Sequence, residues 1–419
     1  MSTAFSTADI LLPKNADMTR WAVVACDQFT SQKEYWEKAA SVAGDAPSAL
    51  DLILPEAYLG AEDEGERIVK IHKKMDEYLS EGLFEEYKDC FIYVRRTDST
   101  GKMREGIVGK IDLEMYDYNK GSTSQVRATE ATVAERIPPR LAVRRGAPLE
   151  LPHIMILIDD PGKTVIEPLA GEELPVVYDF DLMLSGGHIE GRLVRGESAR
   201  RIEAALDTLG ERENFERRSC VSGVPVLLYA MGDGNHSLAT AKAYYEELKA
   251  AHPGEDLSDH PARYALVEIV NLHSDALEFE AIHRVIEGID PSDFLIEMTD
   301  AIGLTDNNCP QYFEMVFGGE AYRAGITKPS SNLTVGSVQD FIDDYVRRKG
   351  GTVDYIHGVD VVRKLAEKPD TVGIILPYMG KDELFPSVIK DGALPRKTFS
   401  MGHAEDKRYY VEARRISAE

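Results

Sequence analysis

The chain has 419 residues, which is more than one hydrophobic core usually supports, so its length predicts two or three domains. With 43% hydrophobic residues and a formal net charge of -24, it has the composition of an acidic globular protein. The charge excludes nucleic acids and membrane surfaces as expected partners, because their phosphates repel an acidic surface, whereas a local basic pocket for a small phosphate is compatible with it.

The first part of the chain alternates strand-like and helix-like segments. Apolar runs and periodicity predict a strand at 21–26, helices at 31–43 and 64–83, and the two strands of a hairpin at 91–95 and 106–113. The polar residues Asp27 to Thr30 follow the first strand, at the kind of strand end where α/β sites are often built. Asp27 has a second interpretation as the start of an ordinary turn.

The segment 116–149 is the most cationic part of this acidic chain. Its arginines are Arg127, Arg136, Arg140, Arg144 and Arg145. One interpretation is a solvated loop and helix face; the other is a phosphate-facing segment, because a guanidinium offers a planar fork of donors to phosphate oxygens. Glu130 would stay ionised beside these arginines and could accept a proton from a substrate hydroxyl, or it is an exposed glutamate at a helix start.

A buried strand predicted at 153–158 ends in the sequence Asp159-Asp160-Pro161-Gly162. Paired aspartates can hold Mg²⁺, but this composition favours a turn. A strand pair at 176–183 and 188–194 and an amphipathic helix at 197–211 follow.

The central stretch 224–251 joins a buried strand, predicted at 224–231, to an amphipathic helix through Gly232, Asp233 and Gly234. Free backbone N–H groups and the positive end of the helix dipole converge at such a junction. The junction therefore invites an anion such as phosphate. A Gly-Asp-Gly turn is also common as a purely structural element.

The first residues of this helix favour the functional interpretation. Asn235 is the predicted N-cap, and Ser237 is a second candidate. The helix dipole disfavours the charged form of an imidazole in the first turn, so His236 is expected to be neutral and to act as a donor or acceptor.

The C-terminal part continues the alternation. The predicted elements are strands at 264–272, 279–285, 353–356, 372–377 and 408–415, a hairpin over 312–326, and helices at 291–302, 338–348 and 359–367. His283 and Arg284 lie in the second of these strands, and Arg396 with Lys397 forms a second basic spot. A lone histidine in a strand usually has a structural role, so both interpretations of His283 remain open.

These elements predict a mixed α/β (α+β) chain with helix-flanked mixed sheets. We expect three regions: an N-terminal α/β region over 1–115, a central region over 116–255 that contains the strand-turn-helix, and a C-terminal α/β region over 256–419. The basic residues of the last region are expected to fold back onto the central one.

Seven short blocks together resemble a known family. They are Met231-Gly-Asp-Gly-Asn-His-Ser237, Ala262-Arg-Tyr264, Val270-Asn271, Ile282-His-Arg284, Leu394-Pro-Arg-Lys397, Arg127-Ala-Thr-Glu-Ala-Thr132 and Ile156-Leu-Ile-Asp-Asp-Pro161. These blocks are distributed over most of the chain, and in their order along it they resemble a bacterial and archaeal family catalogued as domain-of-unknown-function family 1015. The central block of that family usually reads Asp-Gly-His-His-Arg, and this chain has Asn235 and Ser237 in place of the first His and the Arg.

The central block of the family is similar to that of the free-serine kinases of the ParB and sulfiredoxin superfamily. In those kinases the strand-turn-helix binds nucleotide phosphates, and a nearby glutamate is the base for the serine hydroxyl. The resemblance implies a ParB/sulfiredoxin-like strand-turn-helix core and an enzyme of serine metabolism. It would transfer a phosphoryl group between a nucleotide and free serine, or release serine from O-phosphoserine. The implied co-substrate is ATP or ADP, and the implied cofactor is Mg²⁺.

Under this hypothesis the catalytic residues are Glu130, Asp233 and His236. Glu130 accepts the proton, Asp233 orients His236 or Mg²⁺, and His236 contacts phosphate. The predicted phosphate- and substrate-binding residues are Gly232, Gly234, Asn235, Ser237, Arg127, His283, Arg284, Arg396 and Lys397. No dedicated metal ligand is assigned, and Glu268 is a rival for the role of base.

Two other classes of protein are alternatives to this phosphotransferase hypothesis. A non-catalytic protein could use the same junction to hold a nucleotide or phospho-metabolite as a regulatory ligand, without needing a base. A ParB-like DNA-binding factor is disfavoured by the charge and by the lack of a helix-turn-helix rich in Lys and Arg.

The four cysteines lie far apart without metal-binding spacing, and the first residues lack signal-peptide features, so we expect a cytoplasmic protein.

Overall fold

The computed structural model describes residues 3–418 and has a mixed α/β fold, which confirms the predicted fold class. Two compact units are present. The first comprises residues 3–128, 132–277 and 403–418, and the second comprises 129–131 and 278–402. The division into regions at 115 and 255 stays a prediction.

The first unit is built on a large mixed sheet and smaller strand pairs. Its strands up to residue 271 are β1 (Phe5–Ser6), β2 (Ala8–Pro13), β3 (Val23–Val24), β4 (Phe84–Thr97), β5 (Met103–Asp112), β6 (Tyr116–Asp117), β7 (Val126–Arg127), β8 (Leu149–Glu150), β9 (Met155–Ile158), β10 (Val176–Asp181), β11 (His188–Val194), β12 (Tyr229–Asp233) and β13 (Tyr264–Asn271). The sheet order is β10, β11, β4, β5, β13, β9, β12, β7, β6, with β1 paired to β5 and β2 to β4.

Seven helices of the first unit flank or connect these strands over the described residues. They are α1 (Met18–Trp21), α2 (Lys33–Ala43), α3 (Glu64–Ser80), α4 (Ile137–Arg144), α5 (Gly196–Gly210), α6 (Arg212–Ser219) and α7 (Asn235–Ala251). Strand β12 runs antiparallel to β9 and parallel to β7, so it lies inside the sheet and leads directly into α7.

Two hydrophobic clusters cover opposite faces of the large sheet. Along β4, Phe91 and Tyr93 belong to one cluster, whereas Ile92 and Val94 belong to the other. This alternation follows from the period of two residues in a strand. The apolar face of α7 packs in the cluster that contains Phe91, so the helix is anchored on that face of the sheet.

The second unit is centred on an antiparallel sheet. Its strands are β14 (Phe279–Ala281), β15 (His283–Glu287), β16 (Leu304–Thr305), β17 (Tyr312–Phe317), β18 (Glu320–Ile326), β19 (Thr352–Ile356), β20 (Thr371–Ile375) and β21 (Phe399–Met401). Its helices are α8 (Pro291–Ile302), α9 (Thr334–Lys349), α10 (Val359–Leu365) and α11 (Lys381–Asp391). The six-stranded sheet has the order β16, β18, β17, β20, β15, β19, and β14 pairs separately with β21.

The chain then returns to the first unit with β22 (Tyr409–Tyr410) and β23 (Arg414–Arg415). These strands pair antiparallel with β3 and β8. The continuous strand predicted at 408–415 is therefore wrong, because its two ends pair with different partners.

Other predicted strands differ from the observed ones in extent. In the segment predicted as a strand at 21–26, only β3 pairs as a strand. Trp21 belongs to α1, which Asp17 caps by accepting the N–H groups of Thr19 and Arg20. The strand predicted at 279–285 divides into β14 and β15, which belong to two sheets. The predictions of a helix after the two-glycine turn and of the hairpin that contains β4 and β5 are confirmed.

Four helices were not predicted from the pattern: α1, α4, α6 and α11. Helix α4 begins with Ile137-Pro138-Pro139, and prolines are tolerated there because the first N–H groups of a helix lack intrahelical acceptors. Helix α11 contains Pro386, and α6 is almost wholly polar.

Over residues 3–418, no helix combines the length and the apolar composition that a membrane crossing requires.

Candidate functional site

The candidate site in the first unit is the junction between β12 and α7. Strand β12 ends at Asp233, and Gly234 precedes the helix with φ +75° and ψ 28°. The prediction of Asn235 as N-cap is wrong, because Gly234 occupies that position and Asn235 is the first helical residue. A Cβ atom on Gly234 would lie 3.0 Å from the Cα of Ile154, so both the conformation and the close approach require glycine.

The predicted strand 224–231 begins only at Tyr229 and extends through Gly232 to Asp233. Its register to β9 shifts between Met231 and Asp233, so Gly232 lies in a bulge next to the turn. The Asp233 carboxylate accepts the Gly234 N–H (2.9 Å) and forms an ion pair with Lys407 Nζ (3.2 Å). These contacts hold the turn and place a lysine beside it.

His236 is half-buried in the first turn of α7. Its Nε2 accepts the N–H of Val133 (3.4 Å). Burial and the nearby charges of Arg140 and Arg136 lower the pKa of His236 to about 4. An uncharged imidazole at this helix end agrees with the expectation from the helix dipole. The two arginines place positive charge near the same turn.

The two residues that depart from the usual family block have side-chain partners in the first unit. The Asn235 Nδ2 donates to Thr132 Oγ1 (3.2 Å), and Ser237 Oγ lies 3.3 Å from His153 Nε2. Both side chains are therefore integrated into the packing of the first turn.

A pair of residues behind this turn, the half-buried Asp27 and the buried His153, was not predicted as part of the site. Asp27 Oδ2 is 3.6 Å from His153 Nε2, and His153 Nδ1 is 2.7 Å from the Tyr410 hydroxyl. Burial disfavours the charge on His153, but the neighbouring Asp27 outweighs it and raises the pKa of His153. Burial likewise opposes ionisation of Asp27, and the attraction of His153 nevertheless lowers the pKa of Asp27. The only sequence signal was the polar segment after the first strand.

Arg140 is also held by a carboxylate in this unit. It forms an ion pair with Glu56, and both side chains are largely buried. Burial raises the pKa of Glu56 above its usual value, although Arg140 opposes this. No sequence motif indicated Glu56, since it lies in a short 3₁₀ segment far from α7 in the chain.

Arg127, predicted as a phosphate ligand, has a structural environment in the first unit. Its guanidinium is buried; Nε donates to the Ser124 carbonyl (2.7 Å) and Nη2 to the Pro225 carbonyl (2.9 Å). These bonds tie down the segment before β12 and explain why that strand starts late.

The rival base Glu268 is also in a structural network. Its side chain is fully buried and accepts from Arg408 Nε (2.7 Å), with Arg104 Nη2 at 3.4 Å. Burial opposes its ionisation, but these arginines lower the pKa of Glu268. A carboxylate enclosed by guanidinium groups is a poor proton acceptor for a substrate.

The second unit contains the other predicted residues. Arg284 is fully buried and donates to Gln339 Oε1 (2.9 Å) and to the Lys397 carbonyl (3.0 Å). Burial lowers the pKa of Arg284 to about 10. Glu130 accepts the Thr398 N–H (3.4 Å), and burial raises the pKa of Glu130, against the effect of Thr398, Lys397 and Arg284.

His283, Arg396 and Lys397 differ in exposure. His283 is buried, and its Nδ1 accepts the Leu376 N–H (3.2 Å); burial lowers the pKa of His283. Arg396 and Lys397 are exposed, and Arg396 Nε donates to the Tyr355 hydroxyl (3.0 Å). The structure thus brings Glu130, Arg284 and Lys397 together within the second unit, as it brings the glycine turn and His236 together within the first.

The residues present do not fit a resident Mg²⁺ at the turn. The Asp233 carboxylate is engaged by Lys407 and by the Gly234 N–H. Across residues 3–418, His, Cys, Asp and Glu side chains do not form a group of three or more suited to a metal ion. The pair Asp159 and Asp160 forms the predicted turn: Asp160 accepts the Thr164 N–H (2.6 Å), and Asp159 pairs with Arg218 (3.0 Å).

Comparison with solved structures finds partial similarity. A free serine kinase in complex with AMP matches with a TM-score of 0.37 and 12% identity, covering 74% of this chain and 90% of that chain. A variant of the free serine kinase in complex with ADP has a TM-score of 0.36 and 13% identity, covering 74% and 91%. SbnI with a C-terminal truncation from Staphylococcus aureus has a TM-score of 0.36 and 8% identity, covering 70% and 82%.

No curated protein matches the chain. A family model described as "Protein of unknown function (DUF1015)" matches residues 8–345, which is most of the sequence. The chain therefore belongs to the DUF1015 family.

Proposed function

We propose that the protein is a nucleotide-dependent phosphotransferase that acts on free serine or O-phosphoserine. The observation that carries this proposal is the first turn of α7, where the positive helix end, a neutral His236 and the charges of Arg136 and Arg140 converge. Lys407, paired with Asp233, adds a further cation beside the turn. This combination suits the oxygens of a nucleotide phosphate.

Phosphoryl transfer needs positioning and charge neutralisation more than covalent chemistry. In the forward direction, the serine hydroxyl attacks the terminal phosphorus of ATP and loses its proton to a carboxylate. The bond from that phosphorus to the bridging oxygen breaks, and ADP leaves with the electron pair. In the reverse direction, O-phosphoserine gives its phosphoryl group to ADP, and serine leaves.

We assign the role of proton acceptor to Glu130. Its raised pKa brings the carboxyl closer to neutral pH, where a general base is most effective. Arg396 and Lys397, which are exposed, remain the proposed cationic residues of the second unit, whereas the buried Arg284 donates to Gln339 and to backbone carbonyls. The carboxylates of the first unit, Asp27 and Glu56, are the alternative acceptors, and substitution distinguishes them from Glu130.

The proposed co-substrate is ATP or ADP. Because the turn does not fit a resident metal, Mg²⁺ is expected to arrive with the nucleotide, held by its phosphates. The chain's own part is then to orient the phosphates and neutralise their charge.

Phosphorus NMR of the purified protein with Mg²⁺, serine or O-phosphoserine and a panel of nucleotides tests the proposal. We expect a new phosphate resonance for one pair of substrates. His236→Ala should weaken nucleotide binding about tenfold, whereas His252→Ala, at the far end of the same helix, should leave it unchanged. Absence of turnover with every pair, together with equal nucleotide affinity in wild type and His236→Ala, would reject the proposal.

A non-catalytic nucleotide-binding protein would share the same turn. The substitution Glu130→Gln separates the two functions, because an enzyme loses turnover and keeps its ligand, whereas a binding protein has no turnover to lose. Asp27→Asn serves as the parallel variant. Loss of turnover in Asp27→Asn but not in Glu130→Gln would move the role of base to the first unit.

A further inference from the structure

A cavity of about 140 Å³ lies in the first unit beside α7. Most of its wall is apolar and includes Leu52, Leu54, Met75, Leu149 and Leu151. An apolar protein cavity of about 150 Å³ holds one benzene molecule. The space therefore suits a compact apolar group of about six carbon atoms.

One side of the cavity is polar and is provided by α7. Ser237 and Thr240 both line the cavity and, being three residues apart, lie on the same face of the helix. The Thr240 hydroxyl donates to the His236 carbonyl (2.7 Å), so the lone pairs of its oxygen remain able to accept. Two neighbouring hydroxyl oxygens form a site for one ligand O–H group.

The charged groups in the wall are matched within the protein. Arg140 pairs with Glu56, Arg144 pairs with Glu150 (2.7 Å), and His153 lies 3.6 Å from the Asp27 carboxylate. The Cys26 thiol, also in the wall, is neutral because burial raises its pKa to about 12. A charged ligand would lose its hydration without meeting an unmatched partner, so the cavity favours a neutral one.

We propose that this cavity is a binding site for a small neutral alcohol, aliphatic or aromatic, whose apolar body fills the leucine-lined space and whose hydroxyl contacts Ser237 and Thr240. The cavity shares Ser237, Arg140 and Glu56 with the surroundings of the proposed phosphate turn, but its apolar wall does not suit free serine. Free serine carries two charges at neutral pH, and both would be desolvated against the apolar wall. The inference does not depend on phosphoryl transfer, because it concerns binding in the absence of nucleotide.

Calorimetric titration of the full chain with phenol, benzene, benzoate and serine tests this site without nucleotide. We expect phenol to bind about tenfold more tightly than benzene, because its hydroxyl gains a hydrogen bond in the cavity. Benzoate should bind more weakly than phenol, and serine should not displace phenol. Equal affinity for phenol and benzene, or displacement of phenol by serine, would overturn the proposal.

Two substitutions locate the binding. Ala147→Leu fills part of the cavity and should abolish phenol binding, whereas Ala142→Leu, outside the lining, should preserve it. Thr240→Val keeps the side-chain shape, removes the hydroxyl, and should reduce the affinity for phenol toward that for benzene while leaving benzene binding unchanged. Retained phenol binding in Ala147→Leu, or an unchanged ratio of phenol to benzene affinity in Thr240→Val, would contradict the proposed site.

Discussion

The arginines of the two units have contrasting environments. In the second unit, the Arg284 guanidinium is fully buried and donates to Gln339 and to backbone carbonyls. In the first unit, Arg136 is exposed near the helix end that carries His236, where its charge lowers the pKa of that histidine. A cationic side chain therefore serves either the backbone or a ligand, and the acceptors of its N–H groups distinguish the two roles.

The largest effect is expected from Arg284→Ala. The substitution leaves the Gln339 side chain and the carbonyls of Ile282 and Lys397 without their buried donor. We expect a loss of about 3 kcal/mol in the free energy of unfolding, measured by urea titration. Arg323→Ala, on the exposed surface of the same unit, is the matched control and should change the free energy by less than about 0.5 kcal/mol. Similar stability of both variants would show that Arg284 is free for a ligand.

Gly234→Ala tests whether the turn of the first unit binds the phosphate of a nucleotide. The side chain would require a left-handed conformation at φ +75° and would meet Ile154 at 3.0 Å. We expect a destabilisation of about 2 kcal/mol and a loss of nucleotide affinity larger than that of His236→Ala. Gly223→Ala, which has a positive φ but no heavy atom within 4 Å of the added Cβ, separates conformational strain from close contact. A Gly234→Ala protein with unchanged nucleotide affinity would exclude the turn as the phosphate site.

The pKa values of the two histidines near this turn are shifted in opposite directions, so their effects on stability should depend on pH in opposite ways. The pKa of His236 is lowered from 6.5 to about 4, so its contribution to stability is complete above pH 6.5 and is lost as pH falls through about 4. The pKa of His153 is raised from 6.5, so its contribution is complete below pH 6.5 and is lost as pH rises through the folded-state pKa. NMR titration of the imidazole protons measures both. A charged His236 at pH 6 would contradict the neutral site.

The smallest effect is expected from Arg136→Gln. Because Arg136 is exposed and its charge is screened by water and salt, we expect nucleotide affinity to fall about threefold and stability to change by less than about 0.5 kcal/mol. Isothermal titration at two salt concentrations measures the change. Arg145→Gln, an exposed arginine paired with Glu247, is the control and should bind nucleotide as the wild type does.

The sequence predicted the elements whose signal is local. Helix α7 and the hairpin of β4 and β5 follow from the spacing of apolar residues, and the glycine turn follows from its composition. The late start of β12 could not be predicted, because it depends on bonds from Arg127 to carbonyls of residues distant in the chain. The same limit applies to Asp27 and His153, which meet only in the folded first unit.

By itself, the sequence determined the mixed α/β class, the family and the position of the two-glycine junction, since these depend on periodicity and on short contiguous motifs. Only the tertiary structure decided which charged residues are available to a ligand. The reason is physical. Burial and the hydrogen-bond partners of a charged group determine its protonation state and whether it can still bind a ligand, and long-range packing controls burial and partners alike. Arg127 and Arg284 look like phosphate ligands in the sequence, and folding commits their guanidinium groups to the backbone of their own units.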